Sequence, residues 1–431
     1  MVNIRLNKYQ GQARFNALIA PLLVSLVCGA LLIIGGRTAH AQEVNGIYTE
    51  PATKDLGEVT GKESLKGIKF RGWAEVYLEH NFNDPSADAV NANQGASVVR
   101  AKDLKIEGRT FDVRSNRFRL NLAEVEVEKV PERNRIGFKI DLALGDVQNI
   151  IFDSVRAASP RSVRGADRII QHASVSYLAP VGTGLRIDVG KFVTHIGGET
   201  IESIKNRNFS HSYYYTYAIP FQDTGVRLNY AFTPKVYGEF YALKGWNVTF
   251  DNNSGKTFGA TLGFTPTPKL SVYANYLGGP ERNNNSRDRR DLYDFQIVYS
   301  PTATLQTMVN IDIARDENAV ALGRNAAWNG VTFYVRKNFN GRFFPTLRAE
   351  YYNDRDGFTT GVAQRVGSFT FTGDYKIGKD YKVGKKDGFV KFLLRPEVRL
   401  DVSDGRFFSE GNNFRARKQQ FTAGAGFVTY F

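Results

Sequence analysis

The sequence predicts an all-β chain that folds as a transmembrane antiparallel β-barrel of about 16 strands (roughly 14–18). Three observations predict this fold class. The 431 residues include 31 Phe, 21 Tyr and 41 Gly against 2 Met, a composition that favours strands and turns over a helical core. From Gly67 onward, hydrophobic and polar residues alternate with a period of two, as in strands with two different faces. The connections between these segments are alternately short and long, which is typical of barrels that cross an outer membrane.

Composition also excludes several classes of protein. Hydrophobic residues make up 42% of the chain, too many for a disordered protein. The formal net charge is +14, but the basic residues are spread over strands and loops, so nucleic-acid binding is not predicted. Cys28 is the single cysteine, which excludes a disulfide within the chain and any multi-cysteine zinc site.

Residues 1–41 have the pattern of a signal peptide. Basic residues precede an apolar run from Ala17 to Gly36, and small residues at Ala39 and Ala41 suit a signal peptidase. Cleavage after Ala41 would remove four basic residues and no acidic ones, leaving 53 − 43 = +10. An uncleaved membrane anchor stays open as an alternative, because the apolar run is long. The expected domains are therefore a signal peptide (1–41), a polar periplasmic lead-in (42–66) and the barrel (67–431).

The first strand shows the alternation from which the others are predicted. Ile68 and Phe70 fall on one face, and Lys69 and Arg71 fall on the other. The predicted strands are 68–82, 110–130, 134–146, 168–180, 184–194, 220–232, 235–246, 255–265, 268–279, 290–301, 304–315, 326–338, 343–354, 365–376, 388–402 and 415–431.

The connections give the orientation of the predicted barrel. Short turns with Pro or Asn-Gly suit the periplasmic side, and long connections suit the extracellular side. An even number of strands places both termini on the side of the short turns. Residues 377–387 depart from this rule, because a Lys-rich stretch stands where a short turn is expected. The long connections are predicted at 83–109, 147–167, 195–219, 247–254, 280–289, 316–325, 355–364 and 403–414.

Phe431, the last residue, is predicted to be an assembly signal. It ends a strand in which Phe421, Phe427 and Phe431 share a face. A last strand with a terminal aromatic residue resembles the signal read by the barrel-assembly machinery of Gram-negative outer membranes. Thr429 departs from that pattern, since an aromatic or apolar residue is usual at its position.

Four stretches carry a resemblance to a known family. From about Gly67 to Phe431 the chain resembles the OmpL-like β-barrel porins of Gram-negative bacteria. The resemblance implies a pore-forming protein integral to the outer membrane, in contact with its lipids and lipopolysaccharide, and it does not fix a solute. Phosphate-selective porins are a more distant similarity. The stretches are 117–126 with 137–146, 190–199 leading through Asn206 to Pro220, 224–230 and 395–401.

The sequence predicts no catalytic, cofactor or metal site. It contains no phosphate-cradling loop, nucleophile elbow or zinc-protease motif, so no enzyme and no cofactor are expected. His195 and His211 lie in one long connection, where a shared site is conceivable but ordinary polar loop residues are the plainer interpretation. Asp354 to Gly357 is similar to the start of a calcium loop but lacks the later acidic ligand.

The connection 195–219 is predicted to fold into the lumen and to constrict the pore. It is the third long connection, and its charges of both signs could set up opposed acidic and basic sides of the pore. An ordinary extracellular loop is the alternative. The constriction candidates are Glu199, Glu202, Lys205 and Arg207.

The second long connection is basic, and it is predicted to line the pore entrance. Positive potential there would concentrate anions. Contact with lipid phosphates is an equal alternative, and the mature charge of +10 gives only a weak lean toward anions. The entrance candidates are Arg156, Arg161, Arg164 and Arg168.

The predicted function is passive diffusion of small hydrophilic solutes across the outer membrane, with a bias toward anions left open. A non-conducting structural or adhesive barrel is the first alternative. A barrel-based hydrolase is the second, and it would need a nucleophile together with a residue such as His211. The identity of the solute and assembly into a homo-oligomer are both left open.

Overall fold

The computed structural model describes residues 62–65, 67–89, 105–158, 168–382 and 389–431. Side chains are not described at 62–65, 156–158, 378–382 and 389–390. The predicted signal peptide and most of the predicted lead-in lie outside the described residues.

The described residues form a closed barrel of sixteen antiparallel strands, which confirms the predicted fold class. Each strand pairs with its neighbours in sequence, and the last strand pairs with the first, for example at Tyr430 and Trp73. The strands are β1 Ile68–Asn81, β2 Arg119–Lys129, β3 Ile136–Leu144, β4 Ile170–Ala179, β5 Leu185–Val193, β6 Gln222–Thr233, β7 Val236–Leu243, β8 Thr257–Thr267, β9 Leu270–Pro280, β10 Arg289–Thr302, β11 Leu305–Ala321, β12 Arg324–Lys337, β13 Phe343–Asp354, β14 Gln364–Lys382, β15 Phe389–Ser403 and β16 Gln419–Tyr430.

The two faces of each strand differ as the alternation predicts. On β10, Phe295 and Ile297 are exposed on the outer surface, whereas Asp294 and Gln296 are buried inside the barrel. This arrangement places apolar side chains against lipid and polar side chains in the lumen.

One connection is shorter than predicted. Residues 316–325 are predicted as a long loop, but β11 continues to Ala321 and β12 begins at Arg324. Asn318 has a φ of 52°, and its backbone N–H donates to Asn325 Oδ1 at 3.0 Å. The register is irregular between Asp316 and Ala321. The sequence pattern did not predict these strand extensions, because the extensions lie beyond the apolar band and carry polar side chains.

The opposite error occurs at the start of β2. A strand is predicted from residue 110, but β2 begins at Arg119. Residues 105–116, called here the inner segment, lie inside the barrel with Phe111 and Val113 buried. Their alternating apolar pattern comes from burial in the lumen rather than from a membrane-spanning strand.

Three elements enter the lumen and share one apolar cluster. They are the inner segment, the helix α1 (Asp146–Ala158), and residues 194–221, called here the inner loop. The inner loop contains a 3-10 turn at Ser203–Lys205 and the short helix α2 (Tyr213–Tyr217). Among the described residues, no helix has the length and apolar character that crossing a membrane would need.

Three short strands among the described residues lie outside the barrel wall. Lys62–Leu65 pairs antiparallel with the beginning of β1, through a turn at Gly67 with a φ of 82°. Phe408–Glu410 pairs with Asn413–Arg417 in the last long connection.

Candidate pore constriction

The inner loop is held inside the barrel by inward-facing side chains of the wall. Near its beginning, the ring of His195 stacks on Tyr241 of β7, with centroids 3.9 Å apart. The backbone N–H of Gly198 donates to Asn310 Oδ1 of β11 at 2.6 Å. Near its end, the Trp328 indole of β12 donates to the Ala218 carbonyl at 3.2 Å.

Two of the four constriction candidates contact strands β11 to β13. Glu199 Oε1 accepts from Tyr334 Oη at 2.9 Å and from Arg348 Nη1 at 3.0 Å. Arg207 Nε donates to Gln306 Oε1 at 2.9 Å. Burial raises the pKa of Glu199, but Arg348, His211 and hydrogen bonds from Ser212 together hold that pKa below its ordinary range.

The other two candidates contact the strands across the barrel. Glu202 Oε1 accepts from Gln171 Nε2 of β4 at 2.7 Å. Lys205 Nζ lies 3.7 Å from Glu126 Oε2 of β2 and 4.8 Å from the centre of the Trp73 ring of β1. The inner loop therefore reaches across the lumen between two parts of the wall.

The four candidates are close to fully buried. Glu199, Glu202, Lys205 and Arg207 are 5%, 2%, 7% and 2% exposed. They do not form one acidic and one basic side, because each part of the wall receives one acid and one base.

The wall residues that hold the loop were missed by sequence reasoning. The guanidinium groups of Arg348, Arg395 and Arg399 donate to the carbonyls of Ser210, Asn206 and His211 at 2.5, 2.9 and 2.6 Å, in that order. We call the inward-facing residues Arg348, Arg395, Glu397 and Arg399 the covered wall.

Glu397 completes the covered wall by accepting from the loop backbone. Its Oε2 accepts from Phe209 N at 2.9 Å and from the Thr372 hydroxyl at 2.6 Å. The signal in the sequence was the alternation of Arg395, Glu397, Arg399 and Asp401, which places four charges on one face of β15.

A different set of inward-facing cations has access to water. The side chains of Arg71 (β1), Lys139 (β3) and Arg186 (β5) are 23%, 20% and 26% exposed. Their carboxylate partners Glu126, Asp141 and Asp188 are 1%, 2% and 0% exposed. We call these three cations the cation series.

The inner segment packs against the inner loop in the extracellular half of the barrel. Arg109, fully buried, donates to Glu79 Oε1 at 2.5 Å and to Asp112, and its Nη2 lies 3.6 Å from Asp401 Oδ2. The ring of Phe111 contacts the ring of His211, with centroids 4.7 Å apart.

The predicted entrance residues are only partly described. Arg156 belongs to α1, but its side chain is not described, and Arg161 and Arg164 lie outside the described residues. Arg168 is exposed, and its guanidinium carbon lies 4.8 Å from the centre of the Phe152 ring.

Phe431, which follows β16, contacts Gly72 of β1. Its N–H donates to the Gly72 carbonyl at 2.9 Å, and its ring covers Gly72, leaving no room there for a side chain. The ring is 52% exposed on the outer surface.

The residues that a hydrolase or a metal site could use are hydrogen-bonded within the protein. His211 Nε2 lies 2.6 Å from the Thr200 carbonyl, and the hydroxyl of Ser212 donates to Glu199 Oε2 at 2.8 Å. Asp354 accepts from the backbone N–H groups of Phe358 and Thr359, both at 2.9 Å. No cluster of three or more His, Cys, Asp or Glu that could hold a metal ion is present in the described part of the chain.

A closed sixteen-stranded barrel with an apolar outer band, a polar wall and a loop folded into its lumen defines the class of outer-membrane porins. Solved structures share this fold. The anion-selective porin from Comamonas acidovorans has a TM-score of 0.54 at 8% identity, over 84% of this chain and 99% of that one. The outer membrane channel DcaP of Acinetobacter baumannii has a TM-score of 0.51 at 12% identity, over 86% and 99%.

The family follows from the sequence model that matches residues 67–431, described as "Putative beta-barrel porin-2, OmpL-like". The chain belongs to this family, as its motifs indicated. It is an outer-membrane porin, integral to that membrane, through which small hydrophilic solutes diffuse passively. A search among curated proteins finds no match.

Proposed function

We propose that the inner loop constricts the pore by contacting β1, β2 and β4, and that solutes pass beside these contacts along the inward faces of β1 to β6, with a preference for anions. The observation that carries the proposal is the unequal exposure of charges. Arg71, Lys139 and Arg186 on β1, β3 and β5 are partly exposed. Arg348 on β13 and Arg395 and Arg399 on β15 are instead covered by the loop.

The geometry of the loop supports the constriction. A barrel of about sixteen strands encloses an aqueous channel unless something fills it. The inner loop fills one side, fixed by Arg348, Arg395 and Arg399, and Glu202 and Lys205 form its surface toward β1, β2 and β4. In this proposal Glu199 and Arg207 fix the loop, and Glu202 and Lys205 limit the width of the passage.

Net charge alone does not support the anion preference. Inward-facing carboxylates are numerous, including Glu75, Glu124 and Asp312, but they are buried. Solutes respond to the charges that they can approach, and on β1, β3 and β5 these include Arg71, Lys139 and Arg186. The Comamonas relative is an anion-selective porin by its own description, which agrees with this preference.

The remaining partners are part of the proposal. Phe431 is available at the membrane-facing end of β16 for recognition by the barrel-assembly machinery. The outer apolar band contacts outer-membrane lipids, and Arg156, Arg161, Arg164 and Arg168 would meet either incoming anions or lipopolysaccharide phosphates. Assembly into a homo-oligomer stays a prediction, and no catalytic reaction is assigned to the chain.

The test is the single-channel current of the refolded mature protein in a planar bilayer under a KCl gradient. Stable conductance steps are expected, with a reversal potential whose sign indicates chloride preference. A reversal potential that favours potassium would remove the anion preference and leave the diffusion pore.

A structural or adhesive barrel is the second candidate function, and one observation favours it. The apolar cluster inside the barrel includes Phe111, Ile151, Ile204 and Tyr214, all buried. A folded, heat-modifiable barrel without conductance would support this candidate.

A further inference from the structure

We propose that the cation series, Arg71, Lys139 and Arg186, is a binding path for small oxyanions, that is, solutes with a carboxylate or phosphate group. This inference rests on the proposed function, because it needs a passage along β1 to β6. It adds the chemical class of the preferred solute and the residues that recognise it.

Each cation of the series is held by a carboxylate that lies behind it. Arg71 contacts Glu126 and Glu128 through Nη1, the latter at 3.2 Å. Lys139 Nζ lies 3.2 Å from Glu126 Oε2 and 3.5 Å from Asp141 Oδ2. The partners fix the cations in place. Glu126 and Asp141 are buried behind them, whereas Glu128 is 15% exposed beside Arg71.

Arg186 has the same arrangement on β5. Its Nε donates to Asp188 Oδ1 at 2.8 Å, and its Nη2 donates to the Ser176 hydroxyl at 3.2 Å. Asp188 is shared with Arg227, whose Nη2 lies 2.8 Å from Asp188 Oδ2. Two guanidinium groups therefore share the buried carboxylate of Asp188.

Donors remain for a solute after these contacts are made. A guanidinium has five N–H groups in a planar fork. Arg71 uses one nitrogen on its partners, and Arg186 uses two. A planar fork matches the two oxygens of a carboxylate or phosphate, which chloride cannot offer. Two arginines in the series thus favour oxyanions over simple halides.

The strand register arranges the three cations as successive steps. Arg71 pairs with Glu126 of β2, which in turn pairs with Asp141 of β3. Lys139 lies two residues nearer than Asp141 to the short turn before β3. Lys139 pairs with Ser174 of β4, which in turn pairs with Gly190 of β5. Arg186 lies four residues nearer than Gly190 to the short turn that precedes β5. An oxyanion could therefore exchange one cation for the next as it moves along the wall.

The first experiment uses the triple variant Arg71→Gln, Lys139→Gln, Arg186→Gln and the exposed control Arg324→Gln at the tip of the hairpin between β11 and β12. Chloride-to-potassium permeability ratio and block of chloride current by inorganic phosphate are measured in planar bilayers. The triple variant should lower the permeability ratio about three- to tenfold and should abolish phosphate block, and the control should change neither.

The outcomes separate the two proposals. If the unmodified protein shows no conductance steps, the proposed function fails. If it conducts but phosphate block and permeability ratio survive in the folded triple variant, the cation series is not the binding path.

A single substitution covers the case in which the triple variant does not fold. The only natural cysteine, Cys28, lies in the predicted signal peptide, so Arg186→Cys introduces the only thiol of the mature chain. Each labelling rate is divided by the rate of the same reagent with a free thiol in solution. With Arg71 and Lys139 still present, this relative rate in Arg186→Cys should be several-fold higher for a negatively charged methanethiosulfonate reagent than for a positively charged one of similar size. Equal relative rates, or the reverse order, would overturn the proposal.

Discussion

Arg348 and Arg186 lie on opposite sides of the barrel, and their surroundings differ. Both are inward-facing arginines beside a carboxylate, on β13 and β5, which stand eight strands apart in a circle of sixteen. Arg348 is covered by the inner loop and donates to its backbone, whereas Arg186 remains partly exposed to the lumen. The comparison teaches that the loop, rather than the strand, decides whether a wall arginine has a structural or an electrostatic role.

The largest expected effect comes from removing one arginine of each kind. Arg348→Ala leaves Glu199 buried without its cation, so we expect a loss of about 3–5 kcal/mol in unfolding free energy and a wider, noisier channel. Arg186→Ala should cost less than about 1 kcal/mol, because Arg227 still pairs with Asp188 and the site is partly wet. Urea unfolding in lipid and single-channel recording measure both. Equal losses in the two variants would contradict the comparison.

A smaller effect is expected at the carboxylate of the covered wall. Glu397→Gln removes one of the two oxygens that accept from Phe209 N, Ser210 N and the Thr372 hydroxyl, so we expect a loss of about 1–3 kcal/mol. Glu132→Gln is the matched control, since Glu132 pairs with Arg135 in an exposed short turn. The midpoint of urea unfolding should fall in the first variant only, and an unchanged midpoint for Glu397→Gln would mean that the loop does not depend on this acceptor.

The fit between the inner loop and the wall can be tested with one added methyl group. A Cβ on Gly198 would lie 2.6 Å from Met308 Cε and 3.1 Å from Asn310 Oδ1 on β11. Because these are flexible side-chain atoms, Gly198→Ala should cost about 1 kcal/mol and alter conductance modestly. Gly405→Ala, which adds its methyl group to open space, is the control for the same measurements. A stabilised Gly198→Ala variant would indicate a loosely fitted loop.

The smallest effect is expected from lowering the pH. The pKa values of Glu199 and Glu202 lie below their ordinary range, because nearby cations and hydrogen bonds outweigh burial. The stabilisation from each carboxylate is therefore present at neutral pH and is lost as pH falls through its depressed pKa. In acid, the unfolding free energy should fall less steeply in Glu199→Gln than in the unmodified protein, because the variant lacks this titrating carboxylate; urea unfolding across the pH range measures the difference. A transition on the alkaline side would contradict this assignment.

Much of the barrel could be predicted from alternation alone, because lipid and lumen impose opposite demands on adjacent residues. Strand extensions such as those at Asp316 to Ala321 could not, since they stand outside the apolar band. Alternation also marks Arg395 and Arg71 equally as inward-facing residues. Which of them is covered depends on contacts with residues far away in sequence, such as Arg395 with Asn206.

The entry of 195–219 into the lumen could be predicted from its order among the long connections, but the distribution of its charges could not. Glu199 and Arg207 pack on one part of the wall and Glu202 and Lys205 on another, because the 3-10 turn that begins after Glu202 and ends at Lys205 lies between Glu199 and Arg207. The spacing of these residues in sequence carries no information about that turn.

The two ends of the described barrel meet at one point, where Lys62–Leu65 pairs with the start of β1 and Phe431 pairs with Gly72. A circularly permuted chain, joined between residues 431 and 67 and opened at Leu322 and Gly323, would therefore retain every strand pair of the wall. Such a chain would lack a free aromatic terminus. Its behaviour would separate the thermodynamic stability of the barrel, measured after refolding in detergent, from its delivery to the membrane in a living cell.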